Sequence, residues 1–171
     1  MGYYSPIKPV ELPYSPYVSG AGEVFFQHES AAVVSFSAYN RLNQKNAGRI
    51  VLKFDRFQQS IFGYPNEEPR DRSPLFSSIE QLNVDDHTGC YEVENENWCE
   101  KIRCENSYVF PTTTHKNGKR ISGVIEPSSL KHYLFCFKET TLEILAEDFT
   151  YKIFNENGLE QFFDFARQEC E

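Results

Sequence analysis

The sequence predicts an α+β fold made mainly of antiparallel strands, in a sandwich or a strongly curved sheet. We expect about eight to ten strands, a short internal helix and a C-terminal helix. A chain of 171 residues is of a size typical of a single domain. Aromatic residues make up 15% of the chain and Met occurs once, which favours sheet because flat rings pack well on a pleated surface. Several short segments also alternate between apolar and polar residues, as half-buried strands do.

Residues 1–20 are an extended N-terminal segment rich in Pro and Tyr. Its prolines, which are closely spaced, exclude a helix; they are Pro6, Pro9, Pro13 and Pro16. The tyrosines between them leave two interpretations open, a segment pinned across the domain surface or a loose tail.

The first half of the chain then predicts a hairpin followed by a half-buried strand. Residues 24–27 and 32–38 form the two arms of the hairpin. In residues 49–57, the alternate residues Ile50, Leu52 and Phe54 occupy one face of the strand. Residues 61–76 contain three prolines and predict a stiff connection, not a regular element.

The second half predicts short strands, the internal helix and a closing helix. Residues 90–93, 107–111 and 120–127 are short strand candidates, and residues 94–106 form the predicted internal helix. Residues 133–137 are apolar on both faces, as in a central strand, and residues 142–146 and 149–153 alternate, so we expect an antiparallel meander. The last segment carries an apolar stripe at helical spacing, formed by Leu159, Phe162, Phe163 and Ala166.

The net charge of −8 is unevenly distributed and constrains the partners. Residues 85–106 hold seven acidic residues against two basic ones, and residues 139–171 hold nine against two. This acidity argues against nucleic acid and against anionic membrane surfaces, which both attract Lys and Arg. It permits a basic protein partner, although a solvated acidic surface is the alternative interpretation.

The N-terminus lacks the apolar and basic regions of a signal peptide, and no apolar run approaches the length of a membrane span. We therefore expect a cytoplasmic protein. The five cysteines are an odd number, which favours free thiols over a disulfide framework.

No nucleotide-binding or hydrolase motif occurs in the sequence, and we predict no catalytic residue, no cofactor and no metal. The best alternative is a zinc site formed by His87 and Cys90 with Cys99 and Cys104. Residues five apart on a helix differ by about 140° in direction, so Cys99 and Cys104 do not share a helix face. Asp85 and Asp86 are candidate ligands of a harder metal.

The order of three segments resembles a group of small uncharacterised bacterial proteins. The segments are FGYPNEEP, YEVENENWCEKI and HYLFCFKETTLEILAEDF. In that group a P-N-D-E-like loop precedes a short helix with a Trp, and a strand pair beginning H-Y-x-F-x-F follows. The resemblance covers residues 61–150, departs from the pattern at Glu67 and at residues 138–141, and implies no catalytic residue. In size and acidity the chain is also similar to immunity proteins that neutralise bacterial toxins.

These observations predict a non-enzymatic protein that binds a basic partner, most specifically an immunity protein that holds a toxin. The predicted partner-binding residues are Tyr64, Glu67, Glu68, Glu92, Glu94, Glu96, Trp98 and Glu100. Two alternatives stay open: an accessory or structural subunit of a larger assembly, and a metal-dependent enzyme that uses residues 85–90.

Overall fold

The described residues of the chain fold into two antiparallel sheets and a C-terminal helix. The computed structural model describes residues 6–17, 22–28, 31–43, 45–63, 88–94, 98, 130–154 and 158–170. The strands and helix along these residues are β1 (Ile7–Pro9), β2 (Tyr14–Pro16), β3 (Val24–His28), β4 (Ala31–Asn40), β5 (Asn46–Asp55), β6 (Gln59–Gly63), β7 (Gly89–Val93), β8 (Lys131–Cys136), β9 (Thr141–Ala146), β10 (Asp148–Phe154) and α1 (Gly158–Cys170). Five strands form sheet A in the order β1-β7-β8-β9-β6, and sheet B has the order β10-β5-β4-β2, with β3 also paired to β4. All these pairings are antiparallel, which confirms the predicted mainly antiparallel β-structure.

The main core lies between the two sheets, because alternate residues of the long strands point inward. Phe54 of β5 packs edge-on against Phe135 of β8, with ring centroids 5.6 Å apart. The predicted inward faces of residues 49–57 and 142–146 are confirmed, whereas Tyr151 and Ile153 of the alternating segment 149–153 are 44% and 43% exposed. The core includes Ala32, Val34, Phe36, Ala38, Ile50, Leu52, Phe54, Tyr133, Phe135, Phe137, Leu142, Ile144 and Ala146. Burial of these side chains supplies the main driving force that holds one sheet against the other.

Helix α1 covers the outer face of sheet B through a narrower stripe than predicted. Phe162 and Ala166 are buried against Val33 and Val51 of β4 and β5. Two members of the predicted stripe, Leu159 and Phe163, are 45% and 48% exposed. The prediction was therefore half wrong, because a helix lying on a sheet buries fully only the side chains that point directly at it.

The chain passes from one sheet to the other at a corner, where β5 continues into β6 and β9 continues into β10. This corrects the predicted meander. β8 and β9 form the expected hairpin, but β10 leaves β9 and pairs with β5 in sheet B. The Glu147 N–H donates to the Asp55 carbonyl at 3.0 Å, and the Gln58 N–H donates to the Leu145 carbonyl at 2.9 Å. These bonds continue the strand pairing around the corner, where Arg56 adopts a left-handed φ of 49°.

The N-terminal segment is docked over residues 6–17. Ile7 in β1 lies opposite Val93 of sheet A, and Tyr14 in β2 lies opposite Asn40 of sheet B. Between the two strands, the Val10 N–H donates to the Cys90 carbonyl at 2.9 Å. The pinned interpretation is the correct one here, because both short strands satisfy their backbone groups at the edges of existing sheets.

Some predicted elements cannot be compared with the structure. The strand candidates at 107–111 and 120–127 and residues 64–76 of the predicted connection lie outside the described residues, as does the internal helix apart from Glu94 and Trp98. Residues 61–63 of the predicted connection instead belong to β6, a strand that the sequence analysis missed. In the part of the chain that the structure describes, no helix is long and apolar enough to span a membrane.

Candidate protein-binding site

β3 and β6 lie opposite each other at one side of the sandwich, which we call the β3–β6 side (Phe25, Phe26, Gln27, Ser60, Ile61 and Phe62). The rings of Phe25 and Phe62 are 5.4 Å apart. The Ser60 hydroxyl donates to the Gln27 side-chain carbonyl at 2.7 Å. From Phe25 to Gln27 the chain runs forward, and the partners run backward from Phe62 to Ser60, so β3 and β6 run in opposite directions here. The side chains in these two contacts point inward and close this side of the core.

The β3–β6 side is aromatic and partly exposed. Phe26 is 37% exposed, Ile61 54% and Phe62 38%. Successive residues of a strand point to opposite faces, so Phe26 lies on the outer surface of sheet B and Ile61 on the outer surface of sheet A. Phe25 and Phe62 lie between them with their rings in contact, and we call these four side chains the apolar strip.

The two strands of this side are unprotected edges, unlike the other edge strands of the described fold. Proteins commonly protect an edge strand with a charge or a proline, because its open backbone groups otherwise pair with another chain. β1 carries Lys8 and Pro9, β2 ends in Pro16, and β10 carries Asp148 and Lys152. β3 and β6 have the sequences VFFQH and QSIFG, with neither Pro nor an acidic residue, Lys or Arg.

A polar cluster lies beside β6 on the outer face of sheet A. The Trp98 indole N–H donates to the Gln59 side-chain carbonyl at 2.7 Å, and the Trp98 ring lies edge-on to His132 at 4.7 Å. His132 is buried, and its Nε2 is 3.0 Å from Glu143 Oε2. This contact lies outside hydrogen-bond geometry, so neither ring nitrogen of His132 has a hydrogen-bond partner among the described residues.

Of the predicted partner-binding residues that the structure describes, Trp98 lies beside β6, where it hydrogen-bonds to Gln59. Glu143 lies opposite Ile61 in the strand register, so the polar cluster continues directly from the exposed apolar strip. The strip supplies apolar contact area. The cluster supplies the Trp98 indole, which is held by its hydrogen bond to Gln59, and the Glu143 carboxylate, which is partly accessible to solvent.

Glu92 and Glu94 lie on the far side of sheet A. Glu92 belongs to β7, which β8 and β9 separate from β6. Its Oε1 is 2.9 Å from Lys8 Nζ, and the hydrogen bond and attraction of Glu92 raise the pKa of Lys8. Glu94 is exposed just beyond β7. The structure thus does not bring these two acids together with β6, and the other predicted residues lie outside the described residues: Tyr64, Glu67, Glu68, Glu96 and Glu100.

Cys90, one ligand of the zinc alternative, lies inside the protein. Its side chain is buried in the core between the sheets, opposite Phe135 in the strand register. Burial raises the pKa of the Cys90 thiol well above its ordinary value, whereas zinc binds the thiolate. His87, Cys99 and Cys104 lie outside the described residues. Within the described ranges, no group of three or more His, Cys, Asp and Glu side chains is placed to hold a metal ion.

No family model, no curated protein and no solved structure matches this chain. The residues that sequence reasoning missed are Phe26, Ile61 and Phe62. The signal that identifies them is the absence of charge and proline from two edge strands, and this signal has meaning only once the strand order is known.

Proposed function

We propose that this chain is a non-enzymatic binding protein whose partner is a basic protein. The observation that carries the proposal is the apolar β3–β6 side, where two unprotected edges expose Phe26, Ile61 and Phe62. Exposed aromatic and apolar residues that form one strip are typical of protein-binding surfaces, and scattered ones are not.

Charge supports a basic partner. The net charge of −8 attracts a basic protein over distance and accelerates encounter. The apolar strip then supplies contact area that excludes water. Two different parts of the surface therefore perform steering and holding, which is common in protein complexes that form rapidly.

The most specific form of the proposal is an immunity protein that neutralises a bacterial toxin by direct binding. Small size and acidity support this form, since many toxins are basic and a stoichiometric inhibitor requires no catalytic group. The contacts of Trp98 with Gln59 and His132 support it as a candidate anchor, because an indole that is already oriented loses little side-chain entropy when a partner covers it.

The test is co-expression with the product of a toxin-like gene adjacent to the gene for this chain. We expect the toxin alone to arrest growth, and co-expression to restore growth and to yield a stable complex of the two purified proteins. Arrested growth with no complex would contradict the immunity assignment. A stable stoichiometric complex with a partner that is not toxic would instead identify this chain as an accessory subunit.

A further inference from the structure

We infer that the partner binds by adding an extended segment to the free edge of β6, so that sheet A gains a strand; the inference rests on the proposed function and gives it a contact site. β6 pairs with β9 from Gln59 to Gly63. No second strand pairs with β6 among the described residues. In an antiparallel pair, alternate residues direct their N–H and C=O groups away from the neighbouring strand. β6 therefore presents a row of open backbone groups that an added strand can satisfy.

β6 fits an added strand better than β3, the other unprotected edge. Ile61 of β6 is 54% exposed, whereas Phe26 of β3 is 37% exposed. Gly63 has no side chain, and a Cβ there would meet no atom of the described residues within 4 Å beyond its chain neighbours. Among the described residues, nothing blocks the approach to this end of β6.

The register defines the chemistry of the added segment. Side chains of an added strand alternate between the face that carries Ile61 and the face that carries Phe62. On the Ile61 face the next strand inward contributes Glu143, about 10 Å from the added strand and partly exposed. An extended Lys or Arg side chain can reach this carboxylate. On the Phe62 face, the neighbouring Phe25 favours an apolar side chain.

The occupant is therefore an extended segment of a basic protein, in which Lys or Arg alternates with apolar residues. A second copy of this chain fits less well, since each copy carries a net charge of −8 and the two would repel. β3 and β6 also contain no Lys or Arg that could approach Glu143 of another copy.

The test uses a capped hexapeptide, Lys-Val-Lys-Val-Lys-Val, as the probe and the full chain labelled for NMR. We expect saturable shift changes along β6 and slower exchange of alternate β6 amides, which are those that face away from β9. The acidic peptide Glu-Val-Glu-Val-Glu-Val is the matched probe and should bind at least about tenfold more weakly. Equal binding of both peptides, or protection confined to β3, would overturn the inference.

Ile61→Lys should weaken binding of the basic peptide by about tenfold, because it places a cation beside Glu143 and removes apolar contact. Ile153→Lys is the matched control: Ile153 is 43% exposed on β10, an edge strand of the other sheet, and this variant should bind the peptide like the wild type. Equal weakening in both variants would contradict the inference. Concentration-dependent dimers that Ile61→Lys abolishes would also contradict it, in favour of a second copy.

The inference and the proposed function can fail separately. If the chain neutralises a toxin while Ile61→Lys retains full protection in cells, the function stands and strand addition is wrong. If the basic peptide adds to β6 but no toxin partner is neutralised, strand addition stands and the immunity function is wrong.

Discussion

Replacement of Phe162 by Ala tests whether helix α1 is held on sheet B by a single ring. Phe162 is completely buried and packs against Val33 and Val51, which are themselves fully buried. Truncation removes the ring and leaves a cavity between helix and sheet, so we expect Phe162→Ala to lower the free energy of unfolding by about 3–5 kcal/mol. That is a large part of the total stability of about 5–15 kcal/mol that is typical of a domain. Urea unfolding followed by circular dichroism measures it.

The neighbouring Phe163 provides a matched control with the same chemistry. Phe163 is 48% exposed, and its ring centroid is 5.2 Å from that of Phe162. Phe163→Ala loses this ring contact and little buried area, so we expect a cost of about 1 kcal/mol. If the two variants lose equal stability, or if Phe162→Ala costs less than Phe163→Ala, the position of α1 on sheet B is wrong.

Three further predictions concern single groups. Arg49 is buried, and its Nε donates to Ser35 Oγ at 2.7 Å. Because an ammonium cannot reproduce the fork of the guanidinium, Arg49→Lys should lower the free energy of unfolding in urea by about 2–4 kcal/mol. An equal loss in Arg41→Lys, at an exposed position, would contradict this. Burial raises the pKa of both Tyr133 and Cys90, so the native state keeps protons that the unfolded chain releases above about pH 8.5 (Cys) and about pH 10 (Tyr). The contribution of these two groups to stability should therefore be complete below these values and fall as the pH rises beyond them. The urea midpoint, measured between about pH 7 and 11, should fall less steeply in Tyr133→Phe than in the wild type. A wild-type midpoint that rises over this range would refute the predicted direction. At the corner, Arg56→Thr should cost about 1–2 kcal/mol more than Arg56→Asn, because a β-branched residue disfavours a φ of 49° that Asn tolerates; thermal unfolding that ranks Thr above Asn would contradict it.

The long strands were predictable because their inward residues alternate. Ile50, Leu52 and Phe54 recur at every second position, and the structure buries all three between the sheets. Such alternation requires a strand with one face in the core, whatever strand lies beside it. Pairing is different, because it depends on residues distant in the chain. Nothing in residues 141–154 indicates that β10 leaves β9 to pair with β5, which lies about a hundred residues earlier.

Helical periodicity identified α1 but not its depth of burial. Leu159 and Phe163 lie one turn apart and were placed in the same stripe as Phe162 and Ala166. An apolar stripe on a helix indicates a preferred direction, whereas burial depends on how far the sheet extends beneath it. Sheet B reaches Phe162 and Ala166 and leaves the other two partly in solvent.

The candidate site was the least predictable feature, for a physical reason. The sequence QSIFG is short, adjoins a proline-rich segment and has no alternation strong enough to mark a strand. Trp98 was predicted as a partner-binding residue, but its position beside β6 depends on the hydrogen bond to Gln59, a contact between residues 39 positions apart. The exposure of Ile61 is a property of the strand order and not of the local sequence.

The corner explains why β6 is an edge at all. Among the described strands, β5 lies inside sheet B between β10 and β4, and its continuation β6 is the edge of sheet A. Likewise, β9 lies inside sheet A, and its continuation β10 is the edge of sheet B. The fold therefore produces two equivalent edges from one bent pair of strands. On β10 the sequence adds Asp148 and Lys152, and the Lys152 ammonium lies 4.2 Å from the Phe165 ring centroid of α1. On β6 it adds no charge, and Ile61 and Phe62 are left partly exposed. The two edges share their strand pairing, but only β10 carries charged side chains and a contact with α1. This difference favours β6 as the place where another chain binds.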